Sequence, residues 1–279
     1  SEQQEDDYEL ALYSTPKILG KIAREFKLNG YVSAISTACA SGTNSIGRAF
    51  DLVENGKADV MISGGIDIFT ELTYTGFNSL QAISKTKCRP FSKTRDGMSL
   101  GDACAILILE SLDAALARGA HIYAEIKGYH ILNEAYHPTA PHPEGKYALK
   151  CMKAAMAYAD VTVDDIDYIN AHGTGTGKND GAELNACESL LKDKKTGTYV
   201  GSTKCLTGHT LGAAGSIEAI ISILSINNSA LYANYDETDL PGVENIHFVT
   251  ENIKDVKVKT VLSNSFGFGG NMASILLSH

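Results

Sequence analysis

The stretch Tyr31-Val32-Ser33-Ala34-Ile35-Ser36-Thr37-Ala38-Cys39-Ala40-Ser41-Gly42, running on into Asn44-Ser45-Ile46-Gly47-Arg48-Ala49-Phe50-Asp51-Leu52-Val53, decides how this chain reads. Residues 31–36 are β-prone and 44–54 carry helical periodicity, so Cys39 falls in a strand-to-helix turn of small residues. Unpaired N–H groups at the start of a helix carry partial positive charge, which favours thiolate over thiol. Ala38, Ala40, Ser41 and Gly42 also leave room for a second molecule to approach the sulfur. A lone free cysteine is more often a small buried hydrophobe. What changes that reading is the company Cys39 keeps further along the chain.

On either side of this turn, strand-like and helix-like runs alternate. Lys17 to Phe26 reads as an amphipathic helix, 58–63 as a buried strand ending at Gly64-Gly65, and the stretch to about residue 100 as loop. Ala103 to Leu109 is a continuous apolar strand, followed by a short helix from Leu112 to Arg118. A second series opens with a strand at 121–129 and continues as helix 146–159, strand 167–170, helix 181–192 and strand 198–202. A long helix from about 211 to 227 and strands near 259–264 and 272–278 complete it. Fully apolar strands between helices predict sheets covered on both faces, an α/β architecture. A weak internal echo links the halves, since Ala34–Cys39 and Val200–Cys205 each lead a strand through a turn into a helix.

At 279 residues, with 44% hydrophobic and 20% charged, the chain can bury a large core as one domain or two joined halves. Its net charge of −9 argues against nucleic acid as a partner. No run approaches the roughly 18 apolar residues of a membrane helix, and the acidic opening Ser1–Asp7 lacks the basic and apolar regions of a signal peptide. The six cysteines, at 39, 88, 104, 151, 187 and 205, have no close spacing. Neither a disulfide framework nor a metal site is expected from them, and a cytoplasmic location fits best.

Three further segments end a strand in polar residues and glycines. Asn170-Ala171-His172-Gly173-Thr174-Gly175-Thr176-Gly177 places an imidazole after an apolar strand. Ser202-Thr203-Lys204-Cys205-Leu206-Thr207-Gly208-His209 puts a lysine and a histidine just before a helix rich in Ala and Gly, which must pack deep in the protein. Buried Lys and His are costly unless paired or used. Asn264-Ser265-Phe266-Gly267-Phe268-Gly269-Gly270-Asn271 supplies glycines that permit unusual backbone angles, with two Phe rings to line or gate an apolar tunnel.

Together these segments resemble the β-ketoacyl-acyl-carrier-protein synthases, the decarboxylating condensing enzymes of the thiolase-like superfamily. The likeness runs from about residue 8 to the C-terminus and includes Ala58–Gly65, Arg89-Pro90-Phe91, Arg95-Asp96-Gly97 and Asn133–Thr139. Thiolases proper end in a second reactive Cys in a Cys-x-Gly run, where this chain has Phe268-Gly269-Gly270-Asn271. His172 with His209 resembles the elongating Cys-His-His branch, and not the initiating branch that pairs one His with an Asn.

The resemblance implies a thiolase-like layered fold, α-β-α-β-α, with two pseudo-repeated halves. Residues 1–118 are the partial N-terminal half carrying the nucleophile, and 119–279 the C-terminal half carrying both histidines. It further implies that Cys39 takes an acyl group from an acyl carrier protein and that malonyl carrier is condensed onto it with loss of CO2. The product is a 3-ketoacyl carrier of fatty-acid, polyketide or polyene biosynthesis. His172 and His209 hold the enolate, Lys204 adds positive charge and orients them, and the N–H groups of Cys39 and Phe268 form an oxyanion hole. Thr174, Thr176 and Thr139 contact pantetheine, and Phe266 and Phe268 line or gate the tunnel. Neither a metal nor a redox cofactor is required, and a homodimer is expected. The cluster Lys85, Lys87, Arg89, Lys93 and Arg95 reads as a solvated loop with local ion pairs in preference to a carrier-docking surface.

The nucleophile arrives early for this family, with only 38 residues before it. A truncated form, a gene fragment or a proteolytic remnant is expected, with open sheet edges, bare apolar surface and little condensing activity in isolation. The alternative is a non-catalytic fragment or partner subunit that binds carrier protein or complements another synthase chain.

Overall fold

The computed structural model describes residues 14–233 and 239–279. The acidic opening at 1–7 and the start of the family likeness at residue 8 lie outside the described residues. In chain order the elements are α1 (Thr15–Glu25), α2 (Ser41–Glu54), β1 (Val60–Asp67), α3 (Glu71–Ser79), β2 (Ala103–Glu110), α4 (Leu112–Ala117), β3 (Glu125–Asn133) and α5 (Lys146–Tyr158). They continue as β4 (Tyr168–Asn170), α6 (Gly177–Leu191), β5 (Thr198–Gly201), α7 (Lys204–Thr207), α8 (Ala214–Asn228), β6 (Ile246–Phe248), β7 (Thr260–Gly267) and β8 (Asn271–Ser278).

Six strands form one sheet in the order β3-β8-β7-β4-β5-β6. The β3/β8 and β8/β7 pairs are antiparallel, whereas β7, β4, β5 and β6 run parallel. Val261 to Phe266 and Met272 to Leu277 are buried without a break, as central strands covered on both faces require. On one face α5 and α6 set Met152, Ala155, Ala186 and Leu190 against Ile169, Val200, Leu262 and Leu276. On the other, α2 and α8 set Ile46, Ala219 and Ile226 against Tyr168, Val261, Ile275 and Leu277.

Helices α2 and α8 also pack against a second sheet, the antiparallel pair β1 and β2. The layers therefore run helix, sheet, helix, sheet. The outward face of β1 and β2 carries Val60, Ile62, Ile66, Ile106 and Ile108, between 40% and 69% exposed. Among the described residues no helix layer covers this face, so four of the five expected layers are present. Burying such side chains fully is worth about 1.5–3 kcal/mol each, so this face forgoes on the order of 5 kcal/mol.

Several expectations change. Residues 31–36 do not form a strand and have no ladder partner among the described residues. A β-prone run with no neighbouring strand has nowhere to place its N–H and C=O groups except water. Strand β1 does not stop at Gly64-Gly65 but passes through them, with Gly64 opposite Ile106 and Gly65 opposite Ala105. A Cβ on Gly65 would lie 2.8 Å from the Gly212 carbonyl oxygen, so the glycine lets the turn before α8 press onto the sheet. The stretch after β1 holds α3, capped by Thr70, whose side chain accepts from the Thr73 N–H. The apolar stretch Leu211–Asn228 is 18 residues long with mean hydropathy 1.2, long and apolar enough to span a membrane. Here it is the central layer, packed between two sheets.

Candidate active site

Four segments converge on one cavity. The turn Thr37–Ala40 leads into α2 and holds Cys39, 8% exposed, with Ala38 in the left-handed region at φ 50°. His172 follows β4, and its N–H and that of Gly173 each donate to Glu183 of α6 at 2.8 Å. His209 follows α7, pinned when its N–H donates to Ser99 O at 2.6 Å and its carbonyl accepts the Gly101 N–H. Phe266 and Phe268 arrive from β7, and Phe266 packs 5.8 Å from the His172 ring, centroid to centroid. These groups form the floor of a cavity of about 450 Å³.

The reactive atoms are close. His209 Nε2 lies 3.1 Å from Cys39 Sγ, and the two imidazole rings are 5.2 Å apart at a steep angle. The environment also sets which ring nitrogen carries the proton. The backbone N–H of Leu211 donates to His209 Nδ1 at 3.3 Å, and the Lys204 ammonium donates to His172 Nδ1 at 3.3 Å. Both Nδ1 atoms are therefore acceptors, which leaves the hydrogen on each Nε2. Burial holds both imidazoles well below the usual histidine range, and the Lys204 charge adds to this, so both are neutral at physiological pH. The site thus presents two neutral Nε2–H donors beside a thiol.

The same tautomers bear on metal binding. One ligand atom each from Cys39, His172 and His209 lies within 4.8 Å of the others, a spacing that suits a cation. Yet each Nε2 offers a hydrogen where a metal needs a lone pair, and freeing it would turn each Nδ1 against a donor. The donor set is poorly suited to a metal.

Cys39 departs from expectation. A helix start was expected to favour its thiolate, but burial dominates and pushes the thiol up to about 11. Lys204 and the backbone N–H groups of Cys39 and Phe268 pull the other way without overcoming desolvation. The resting sulfur is a thiol. Those two N–H groups nonetheless aim at the sulfur, where an oxyanion hole would be needed.

Lys204 is buried and ion-paired with Glu218 of α8, which is equally buried. Burial outweighs the ammonium and raises the Glu218 carboxyl to about 7. Glu183 is likewise raised to about 7 by burial, although it accepts three N–H donors, the third being Asn264 Nδ2 at 3.2 Å. Asp180, one turn earlier on α6, accepts from the N–H groups of Phe91 and Gly175 and so ties two cavity loops together. Glu183 and Asp180 were not singled out from the sequence. The available signal was two acids on the same stripe of α6 as Ala182, Ala186, Cys187 and Leu190.

The remaining expected residues fall around the cavity. Thr174 and Thr176 line it, with their hydroxyls 2.9 Å apart, and so does Thr139. Phe266 belongs to the core, whereas Phe268 is 37% exposed and packs against Phe77 of α3 at 5.7 Å. Of the basic cluster, Arg89 pairs with Asp96, Lys93 with Asp239 and Arg95 with Asp180. Lys85 and Lys87 are exposed.

The family profile described as the beta-ketoacyl synthase N-terminal domain matches residues 2–115, and that of its C-terminal domain matches 123–236. The chain is 41% identical over 263 residues to 3-oxoacyl-[acyl-carrier-protein] synthase 2 of Staphylococcus aureus, covering 92% of this chain and 65% of that one. The synthase of the same name from Rhizobium meliloti is 41% identical over 267 residues, covering 92% and 63%. The chain thus spans about 65% of the length of the S. aureus relative. Among solved structures, a beta-ketoacyl synthase from Burkholderia phymatum superposes with a TM-score of 0.87 at 30% identity, covering 92% of this chain and 64% of that one. A type II polyketide ketosynthase, solved with its acyl carrier protein, superposes with a TM-score of 0.88 at 32% identity, covering 93% and 66%. The chain belongs to the beta-ketoacyl synthase family.

Proposed function

We propose that this chain carries the chemistry of decarboxylative condensation between an acyl thioester and a malonyl-acyl-carrier protein. The observation that carries the reading is the placing of the Cys39 thiol beside two neutral Nε2–H donors at the floor of one cavity. In the first half-reaction, Cys39 Sγ bonds to the acyl carbon and the carrier's C–S bond breaks. The thiol proton leaves with the carrier thiol. His209 Nε2–H and the N–H groups of Cys39 and Phe268 stabilise negative charge on sulfur and then on the tetrahedral oxygen.

In the second half-reaction the malonyl C–C bond breaks and CO2 departs. The electron pair moves onto the thioester, whose oxygen becomes an enolate held by His172 and His209. Two neutral donors suit this oxygen, because they favour the charged enolate over the uncharged carbonyl. The carbanion attacks the acyl-Cys39 carbonyl, the C–S bond breaks, and the Cys39 thiolate takes a proton from solvent. Every step is redox-neutral, so neither a metal nor a redox cofactor enters the proposal. The Lys204 ammonium holds His172 in its donor tautomer and is itself held by Glu218.

Thr174, Thr176 and Thr139 are proposed to contact the pantetheine arm, with Phe268 and Phe77 at the mouth. An acyl carrier protein is the proposed partner. Lys85 and Lys87 are its candidate contacts, since Arg89, Lys93 and Arg95 are held in local ion pairs. A homodimer and a cytoplasmic setting complete the proposal. The test is mass spectrometry of the chain after incubation with acyl and malonyl carrier proteins. Acyl mass on the peptide bearing Cys39, absent in Cys39→Ala, is expected; acylation elsewhere, or none, would refute the reading.

A further inference from the structure

One partly buried polar chain near the nucleophile, with Asn44 at its centre, has no part in the chemistry of condensation. Tyr129 of β3 donates its hydroxyl to Asn44 Oδ1 at 2.7 Å, and Asn44 Nδ2 donates to Thr37 Oγ1 at 2.7 Å. Thr37 stands two residues before Cys39. Its N–H donates to Ser41 Oγ at 2.8 Å, and that hydroxyl donates to Ala38 O at 2.6 Å, closing the turn around the nucleophile. On the other side, a Cβ at Gly267 would lie 3.0 Å from both Cys39 N and Thr37 O, so the turn is held between β7 and this polar chain.

The relay starts from a rigid place. Tyr129 pairs with Ile275 in the β3/β8 ladder, so its hydroxyl is fixed by the six-stranded sheet. The ring reaches Asn44 only because residue 47 of α2 is glycine, where a Cβ would lie 2.3 Å from the ring. Asn44 is 4% exposed and uses one amide donor and one acceptor in the chain. A buried amide paired at both ends has one favoured orientation, and a partner lost from such a network leaves an unpaired polar group. Ala38 sits in the left-handed region, a conformation that persists only where surrounding contacts over-determine it.

We propose that Tyr129, Asn44 and Thr37 form a positioning relay that transmits the geometry of the six-stranded sheet to the Cys39 turn. It keeps Sγ against His209 Nε2 and aims the Cys39 N–H at the cavity. None of the three is a catalytic residue; each acts through the turn. The inference deepens the reading of Cys39 as acyl acceptor and rests on it, but its test reads the thiol directly.

The experiment compares Thr37→Val, Tyr129→Phe, their double variant and Thr37→Ser in the whole chain. The rate of Cys39 alkylation by iodoacetamide at fixed pH is measured by peptide mass spectrometry, with urea unfolding midpoints in parallel. Each single variant is expected to slow alkylation about five-fold, and the double variant no further, because both cut the same chain. Thr37→Ser keeps the hydroxyl and retains the wild-type rate. Unchanged or faster alkylation, multiplying effects in the double, or Thr37→Ser behaving as Thr37→Val would each overturn the relay. A fall in unfolding midpoint without a fall in rate would show a purely structural role and also overturn it. A wild-type chain that alkylates at Cys39 yet accepts no acyl group would refute the condensing reading and leave this comparison intact.

Discussion

Replacing Lys204 by Met tests the polar core of the site through pH. In the native chain the Glu218 carboxyl is buried against the Lys204 ammonium and sits at about 7. Its Oε2 has no hydrogen-bond partner, so the lysine is the group that offsets burial of the charge. Without the ammonium, both the charge attraction and the hydrogen bond that lower this carboxyl are gone. The folded chain then keeps Glu218 protonated well above pH 7. The unfolded chain, with a carboxyl near the ordinary value of about 4.3, is ionised throughout that range.

The sign follows from proton counts. In the wild type Glu218, at about 7, is half-protonated in the folded chain at pH 7 and ionised by pH 9, so it removes only about 0.4 kcal/mol of stability over that range. In Lys204→Met the folded state holds one proton that the unfolded state lacks, so stability falls by about 1.4 kcal/mol per pH unit. Between pH 7 and 9 the variant should lose about 2.3 kcal/mol relative to wild type. Urea unfolding at pH 6, 7, 8 and 9 measures it, and Lys204→Met with Glu218→Gln should abolish the slope. A pH-independent difference between Lys204→Met and wild type would refute the argument, because Glu218 would then be solvated or satisfied by another group.

Because the Cys39 thiol is pushed up to about 11, its alkylation rate should rise about tenfold per pH unit from 7 to 10. A plateau near pH 7, read by the same peptide assay, would show a resting thiolate instead. His172→Ala should slow malonyl decarboxylation about 10²–10³-fold while leaving Cys39 acylation within about tenfold, as followed by CO2 release and intact mass. Equal loss in both steps would remove His172 from the enolate. Gly65→Ala sets a methyl 2.8 Å from the Gly212 carbonyl oxygen and 3.0 Å from Ala213 Cα. Neither backbone atom can swing away, so about 1–3 kcal/mol of destabilisation is expected in urea; an unchanged midpoint would show that the β1/α8 contact is loose.

Much of the site was legible because its residues are carried by short local signals. Cys39, His172, Lys204 and His209 each stand in a short segment rich in small and polar residues, and the fold brings Cys39, His172 and His209 to one cavity with Lys204 behind His172. Burial was harder to read. The helix start near Cys39 is visible in the sequence, but the desolvation that outweighs it depends on residues distant in the chain packed around the sulfur, such as His209. Glu183 and Asp180 went unremarked because an acid in a helix is normally solvent-facing, and only the packing of α6 on β4 turns this pair inward. Residues 31–36 show the converse failure, since β-propensity reports the fit of a residue to a pleated surface and says nothing of whether a neighbouring strand exists.

Strands β1 and β2 carry large apolar side chains on both faces, and this affects how their pairing is chosen. In most half-buried sheets a slip by one residue exchanges apolar for polar side chains, and that exchange enforces alignment. Here a slip by one residue would set Met61 or Ser63 in place of Ile62 and Gly65 or Asp67 in place of Ile66, so polarity discriminates only through Ser63 and Asp67. Shape discriminates further. Only Gly65 fits beneath the Gly212 carbonyl, and Gly64, at φ 155°, lies where a Cβ would sit 2.0 Å from the Ala105 oxygen. The two glycines act as an index mark, setting the alignment of a ladder whose hydrophobic pattern does so only in part.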